Sequence, residues 1–533
     1  MKRLPIGLST FRTIREIDCL YIDKTEYAYN LIQNGWRYFL ARPRRFGKSL
    51  FVSTLQEILS GNKELFDDLW IGSSDYQWQP HGIVMLDFSA LGIDSVDAFK
   101  KNVCTVLKEQ AEDYELTIKI DPISPEMALR TLVKALRKKF GRVAVLIDEY
   151  DSPILHVLND SEKALPIRDA MSLFFKTIKS LDSDINFVFL TGVSTFSKAG
   201  VFSGLNNLST ITLNDNFGAL CGCTDEEVDT YFKEYIQTWA NKENCSYQKL
   251  RQEIKTWYNG YRFGDAVSSV YNPFSLLNAL YELHIDNFWI QSGTPTFLIK
   301  EITKEYRNKE LRVFNPENIS LKKEDLGVID IGALPLPTLL FQTGYLTIDR
   351  YDRDNEVYTL KLPNLEVKTA YQKMLLTIVA HIDSAKAFEL LQKLKQGLIE
   401  NDLPAAITVL KILFAHVTYY QHESPDFAKA STGTQESFYH AILQTIFDLA
   451  GIKTQSEYAT SHGRIDLVLE FPNKFYIIEV KLNQTAESAL EQIEKRRYQE
   501  SFIGSGKSIE LVGLAFKREP HNFEITYASK LLH

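Results

Sequence analysis

Short apolar runs alternate with amphipathic stretches over residues 36–200, the mixture of periods that an α/β sheet requires. Four runs read as strands: Arg37–Ala41, Ile83–Asp87, Val143–Ile147 and Phe187–Thr191. The segments between them are long enough for crossover helices. Residues 221–300 turn helical, with WYNGYRFG (Trp257–Gly264) as a glycine-bearing turn. Residues 339–362 read as a hairpin: LLFQTGYLTI, a polar turn around Asp352–Asn355, then VYTLKL. Apolar spacing such as AFELLQKLKQGL makes residues 366–427 mostly helical. The polar stretch QHESPDFAKASTGTQ (Gln421–Gln435) reads as a linker. A helix, several strands, a second helix and two more strands follow. There is no internal repeat and no low-complexity tract.

Composition narrows this picture. At roughly 100–200 residues per domain, 533 residues suggest three or four domains. A chain that is 45% hydrophobic and 24% charged is neither disordered nor collagenous nor a disulfide-rich mini-protein. Sixty basic against 68 acidic residues leave a net charge of −8. That argues against a uniformly basic nucleic-acid coat but allows one basic groove. Lys2 and Arg3 are not followed by an apolar core, so no signal peptide is expected. No run of about 18 apolar residues suggests a spanning helix. Five cysteines (Cys19, Cys104, Cys221, Cys223, Cys245) are few and odd in number, which favours a cytoplasmic protein over a secreted disulfide framework. Cys221 and Cys223 lack a second pair at zinc-site spacing and read as packing residues.

RPRRFGKS (Arg42–Ser49) lies between the strand RYFLA and the helix SLFVSTLQEIL, the setting of a phosphate-binding loop. Gly47 would let backbone approach phosphate, Lys48 would reach the β- and γ-phosphates, and Ser49 would ligate Mg²⁺. Arg42 stands where GxxxxGK(S/T) has its first glycine. The run VAVLI leads into Asp148 and Glu149, as in a Walker B strand. Asp148 would hold Mg²⁺ and Glu149 would orient or deprotonate the attacking water. Asp151 is a further carboxylate nearby. Another strand, IVMLDF, lies between the two motifs, which fits P-loop ATPases with an extra strand between the Walker strands. Thr191, with Ser194 beyond it, either senses the γ-phosphate or closes a strand-end turn. Arg44 and Arg45 either contact phosphate, act in trans at a subunit boundary, or are solvated loop charges. The expected nucleotide contacts are Arg45, Phe46, Gly47, Lys48, Ser49, Leu50, Asp148 and Thr191.

A second constellation lies near the C-terminus. GRIDLVLEF and FYIIEVKL read as paired strands joined by Pro472–Lys474. Glu479 and Lys481, two apart, share one face, and hairpin pairing brings Asp466 close to Glu479. Charges inside an otherwise apolar strand are costly unless paired or used. Two carboxylates and a lysine suit divalent-metal hydrolysis. Glu436 would complete the ligand shell and Gln492 would support it. Oxygen donors favour Mg²⁺ or Mn²⁺ over zinc. The plain alternative is a hairpin with a cross-strand salt bridge. Lys495, Arg496 and Arg497 either meet a phosphate backbone or form an ordinary solvated face.

Taken together, LPIGLSTFRTIRE, YIDKTE, RPRRFGKSL, LIDEYDSP and TGVSTFSKAGVFSGLNNL resemble the AAA-ATPase-like domain of bacterial proteins. YNPFSLLNAL and LLFQTGYLTI resemble its downstream helical and winged-helix-like parts, and the last hundred or so residues resemble the PD-(D/E)xK nuclease fold. The resemblance implies a P-loop core over residues 1–220, a helical and winged-helix-like lid over 221–365, a helical connector over 366–430, and a restriction-endonuclease-like α/β domain over 431–533. It carries Lys48 and Ser49 onto the P-loop pair, Asp148 and Glu149 onto the Walker B acids, Asp466, Glu479 and Lys481 onto the nuclease core, and Gln492 onto a supporting helix residue. Arginine at the Arg42 position is usual in that family. ATP, Mg²⁺ and nucleic acid, DNA in preference to RNA, are the implied ligands. A mobile-element or defence setting is also implied, and a homo-oligomer is left open. Three functions stay open: an ATP-gated nuclease, an ATP-driven switch that grips nucleic acid without cutting, and an ATPase motor acting on protein.

Overall fold

A computed structural model describes residues 1–158, 160–195, 205, 207–265, 268–291, 298–299, 301–302, 319–326, 335–380, 384–419, 432–519 and 522–532. The chain forms two compact units, Met1–Glu301 with Pro316–Lys368, and Ile302–Asn315 with Thr369–His533.

In the first unit, β1 (Arg37–Ala41), β2 (Gly82–Asp87), β3 (Val143–Asp148), β4 (Phe187–Gly192) and β5 (Ser209–Thr210) form one parallel sheet in the order β2-β3-β4-β1-β5. The four expected strands are present, and β4 separates β1 from β3. β1, β3 and β4 are buried along their whole length, which is why they read as unbroken apolar runs rather than alternating ones. Helices Lys48–Leu59, Val96–Asp113, Pro125–Phe140 and Ser161–Ser180 supply the crossovers. Ser95, Ser124 and Asp160 cap three of them by accepting from backbone N–H groups one turn in. Ala41, Asp87, Asp148 and Gly192 all end strands on the same edge of the sheet, where ligands of such sheets bind.

Downstream, helices Asp225–Tyr231, Lys233–Lys242, Tyr247–Tyr258 and Pro273–Glu282 enclose a separate core around Phe232, Ile236, Trp239, Ile254 and Leu276. A three-stranded antiparallel sheet follows, made of β6 (Ile319–Lys322), β7 (Thr347–Asp352) and β8 (Val357–Lys361). The β7–β8 hairpin turns where expected, with Asp352 Oδ1 accepting from the N–H groups of Asp354 and Asn355. The segment before it differs from expectation. LLFQT is the end of a helix, Leu336–Thr343, and the strand begins only at Thr347. Gly344, at φ 89°, closes that helix in the left-handed conformation. A Cβ there would lie 2.8 Å from Cβ of Pro43.

The second unit contains helices Ser384–Ile399, Leu403–Tyr419 and Thr432–Leu449, and a mixed sheet of β9 (Lys453–Thr460), β10 (Gly463–Glu470), β11 (Lys474–Leu482), β12 (Ser508–Glu519) and β13 (Asn522–Leu532). The order is β13-β12-β11-β10-β9, with β11 and β12 parallel and the other pairs antiparallel. Helix Ala486–Lys495 joins the parallel pair and packs on it. The expected linker is shorter than the sequence suggests. Thr432–Gln435 already belong to the first turn of a helix, extended backwards from the apolar face of FYHAILQTIF, and residues 421–431 lie outside the described residues. The same holds for residues 196–204 and 206 of the TGVSTFSKAGVFSGLNNL motif.

Gly344→Ala should lower unfolding stability by about 1–2 kcal/mol, because it adds a left-handed penalty and a contact with Pro43. Urea unfolding followed by tryptophan fluorescence measures this. A variant as stable as the parent would mean that the close approach is not strained.

Candidate active sites

Gly47, at φ 91°, turns the chain into the helix that Lys48 begins. The loop before that helix borders a cavity of about 470 Å³, also lined by Arg44, Arg45, Ser49, Leu50 and Glu149. This volume lies in the range of small-molecule sites. Lys48 is 3% exposed. Its Nζ donates to the carbonyls of Arg42 (3.1 Å) and Pro43 (3.3 Å) and lies 3.1 Å from Glu149 Oε1. Glu149 has φ 47°, an uncommon conformation that turns the chain sharply after Asp148. Asp148 is buried, accepts a hydrogen bond from Thr191 Oγ1, and accepts from the Glu149 N–H at 3.1 Å. Asp151 is fully buried and accepts from Val193 N, Ser194 N and Ser194 Oγ. Burial, and next the charge of Glu149, push its carboxyl up to about 6. Phe46 is buried against Tyr261 and Phe263, with ring centroids 4.8 and 5.3 Å away. Arg45 lies over the Phe274 ring at 4.5 Å. Arg42 is buried, its guanidinium bonded to the carbonyls of Ala41, Thr212 and Phe217.

At the second site, β10 and β11 pair with Leu467 opposite Ile478, so Asp466 and Glu479 face each other one step further on. Asp466 Oδ2 accepts from Val480 N at 2.8 Å. Glu479 Oε1 accepts from Gln492 Nε2 and lies 3.3 Å from Lys481 Nζ. Lys481 Nζ also lies 3.8 Å from Glu436 Oε1. The five residues therefore converge on one strand pair and its two flanking helices. Burial, and next Asp466, push Glu479 up to about 8, while Lys481 opposes the shift. Burial raises Asp466 and Glu436 as well. Among the described residues, no three His, Cys, Asp or Glu side chains form a closed metal cage. The donors still fit a hard cation. Glu479 Oε2 and Glu436 Oε1 are buried without a hydrogen-bond partner, and Mg²⁺ is commonly held by one or two carboxylates with solvent completing its shell.

Some residues at these sites were not anticipated. His440, one turn after Glu436, places Nε2 2.7 Å from the Asp466 carbonyl, so that nitrogen carries the proton. Its i+4 spacing from Glu436 was the available signal. Tyr498 is buried, and burial, and next the charge of Glu479, push its hydroxyl pKa up. Ser89, just past the end of β2, lines the first cavity. Lys495, Arg496 and Arg497 are exposed. Arg497 lies 3.6 Å from Glu500.

Fold and sites together define a P-loop-type α/β domain followed by a PD-(D/E)XK-type domain. Family profiles agree: one described as a predicted AAA-ATPase matches residues 5–202, and one described as the PD-(D/E)XK nuclease superfamily matches residues 434–524. An uncharacterized protein in the vnfD 5′ region of Azotobacter chroococcum mcd 1 is 35% identical over 530 residues, covering 97% of each chain. The chain belongs to the family of AAA-ATPase-like proteins with a C-terminal PD-(D/E)XK nuclease superfamily domain. A solved structure of the Aeropyrum pernix Orc1 protein in complex with DNA has 11% identity and a TM-score of 0.25, covering 66% of this chain and 91% of that one. That likeness is too weak to build on.

The raised Glu479 pKa has a defined sign. Between its ordinary value and about 8, the folded chain binds more protons than the unfolded chain, so stability falls as pH rises through that window. In chelator, Glu479→Gln should therefore gain Tm relative to the parent between about pH 6 and about pH 8.5. Thermal melts across that range check this, and a difference independent of pH would contradict the raised value.

Proposed function

We propose that this chain binds and hydrolyses ATP, and that nucleotide state controls Mg²⁺-dependent cleavage of nucleic-acid phosphodiesters, DNA in preference to RNA. The observation that carries the reading is the Asp466–Glu479–Lys481 cluster, a buried and a half-buried carboxylate with a lysine and an orphaned carboxylate oxygen on Glu479. Asp466 and Glu479 would hold the divalent ion, with Glu436 completing the donor set. Bound there, the ion supplies Lewis-acid polarisation of a phosphate oxygen. Lys481 positions the attacking water and offsets developing negative charge, and Gln492 holds Glu479 in place. Exposed Lys495, Arg496 and Arg497 supply charge for a phosphate backbone.

At the first site, Ser49 and Asp148 would hold Mg²⁺ and Lys48 would exchange Glu149 for the β- and γ-phosphates. Glu149, once released, orients water, and Thr191 reports on the γ-phosphate through Asp148. An apolar slot lined by Tyr21, Phe46 and Leu220 shares Gly47 and Leu50 with the phosphate cavity and suits a base. Arg44, exposed at the cavity rim, is placed to act on a neighbouring copy in a homo-oligomer. No described helix is long and apolar enough to cross a membrane. All five cysteines are free, which suits a reducing cytoplasm. The mobile-element or defence setting rests on the family resemblance, as does the division into core, lid, connector and nuclease segments.

Plasmid, single-stranded DNA and RNA should be incubated with Mg²⁺ or Mn²⁺, with and without ATP. The wild type should cut DNA, and Glu479→Ala should lose about 10²–10³-fold in rate. Lys48→Ala should keep the metal-dependent chemistry but lose its response to ATP. No cleavage under any metal and nucleotide condition would sink the nuclease reading. If Glu479→Ala then left biological activity intact while Lys48→Ala abolished it, the chain would be a switch that grips without cutting.

A further inference from the structure

The consensus phosphate loop begins with glycine, but here that position holds one of the largest fully buried side chains in the protein. Arg42 is 1% exposed. Its guanidinium donates through Nη1 to Ala41 O (2.9 Å) and Thr212 O (2.6 Å), and through Nη2 to Phe217 O (3.0 Å). It also stacks 4.2 Å from the Phe263 ring centroid. A planar fork bonded to three carbonyls and an aromatic face is a role that Lys cannot fill. Burying a guanidinium is costly, so this geometry needs a return elsewhere.

The main chain at the same position indicates what that return is. Arg42 N donates to Gly192 O at 3.1 Å, and the Arg42 and Pro43 carbonyls are the two that receive Lys48 Nζ. Gly344 approaches Pro43 from behind, and Tyr261 and Phe263 grip Phe46 at the other end of the loop. The loop is thus set before any ligand arrives.

We infer that Arg42 is a positioning residue for nucleotide binding, whose side chain fixes the two carbonyls that aim the Lys48 ammonium at the phosphate cavity. The inference rests on the nucleotide-binding reading above. It assigns a task to the departure from the glycine consensus that neither the loop motif nor the family resemblance assigns. Preorganised donors keep their value because nothing has to reorder on binding.

The test is a double-mutant cycle on the full chain, with equilibrium binding of a fluorescent ATP analogue and steady-state ATPase rates, and circular dichroism melts to confirm folding. Arg42→Lys should raise Kd and KM for ATP roughly tenfold, the scale of a lost charge-assisted hydrogen bond, with kcat at saturation within about threefold of wild type. Added to Lys48→Ala, it should cause no further loss, because it acts through Lys48. Losses that add, or a folded Arg42→Lys that binds ATP as tightly as wild type, would overturn the inference. If Arg42→Lys does not fold, Phe263→Leu, which removes the stack on Arg42 together with a ring contact to Phe46, is read against Phe46→Leu, which removes the ring contacts of Phe46 and leaves the stack. A Kd raised about threefold beyond that of Phe46→Leu and not additive with Lys48→Ala supports the inference, and a Kd raised no more than in Phe46→Leu rejects it. Wild type that binds no ATP would reject the nucleotide reading itself and the inference with it. Wild type that binds while Arg42→Lys binds equally well rejects the positioning role alone.

Discussion

The Lys48 ammonium is almost completely withdrawn from solvent at the edge of a parallel sheet, and an ammonium there must be compensated on every side. Two carbonyls of its own loop and the Glu149 carboxylate do this. Each compensating group is in turn fixed by something else. Arg42 and Gly344 constrain the loop, and the left-handed turn at Glu149 aims its carboxylate. Thr191 occupies Asp148, and Asp151 ties the end of β4 to the segment after β3. The sheet order matters because β4 lies between β1 and β3, which brings Thr191 beside the acids of one neighbour and the loop of the other.

Both sites set three carboxylates against one lysine, and they answer the surplus differently. In the first, hydroxyl and amide donors meet the acids and the upward shift falls on buried Asp151. In the second, three carboxylates face one lysine, and the surplus appears as upward pKa shifts on Glu479, Asp466 and Glu436. A surplus of buried negative charge is a defect in a structural hairpin and an asset where a cation is to be held. The net charge of the whole chain has no bearing on either local balance.

Much of this was legible in the sequence. Runs such as VAVLI leave few alternatives to a buried strand, and the short turn between GRIDLVLEF and FYIIEVKL fixes a register that sets Asp466 against Glu479. What could not be read has physical causes. LLFQT carries no periodicity that separates a short buried helix from a strand, and only the left-handed Gly344 decides it. Two of the three carbonyls that hold Arg42 lie 170 and 175 residues further along, and carbonyls leave no trace in residue type. His440 acts on a backbone oxygen for the same reason, and Tyr498 reads as one more core aromatic. The start of helix Thr432–Leu449 was hidden because Thr, Gly and Gln suit a linker as well as a first turn.

The turn at Glu149 also limits how this site could drift over time. Three consecutive residues diverge there: Asp148 toward Thr191, Glu149 toward Lys48, and Tyr150 into the core, where its hydroxyl donates to Ser194 O at 3.0 Å. A left-handed backbone excludes β-branched residues and favours Gly, Asn and Asp. The replacements easiest for the backbone are therefore short ones that cannot span the distance to Lys48. Lineages that lost the carboxylate here would keep an intact fold, with the lysine left to its two loop carbonyls.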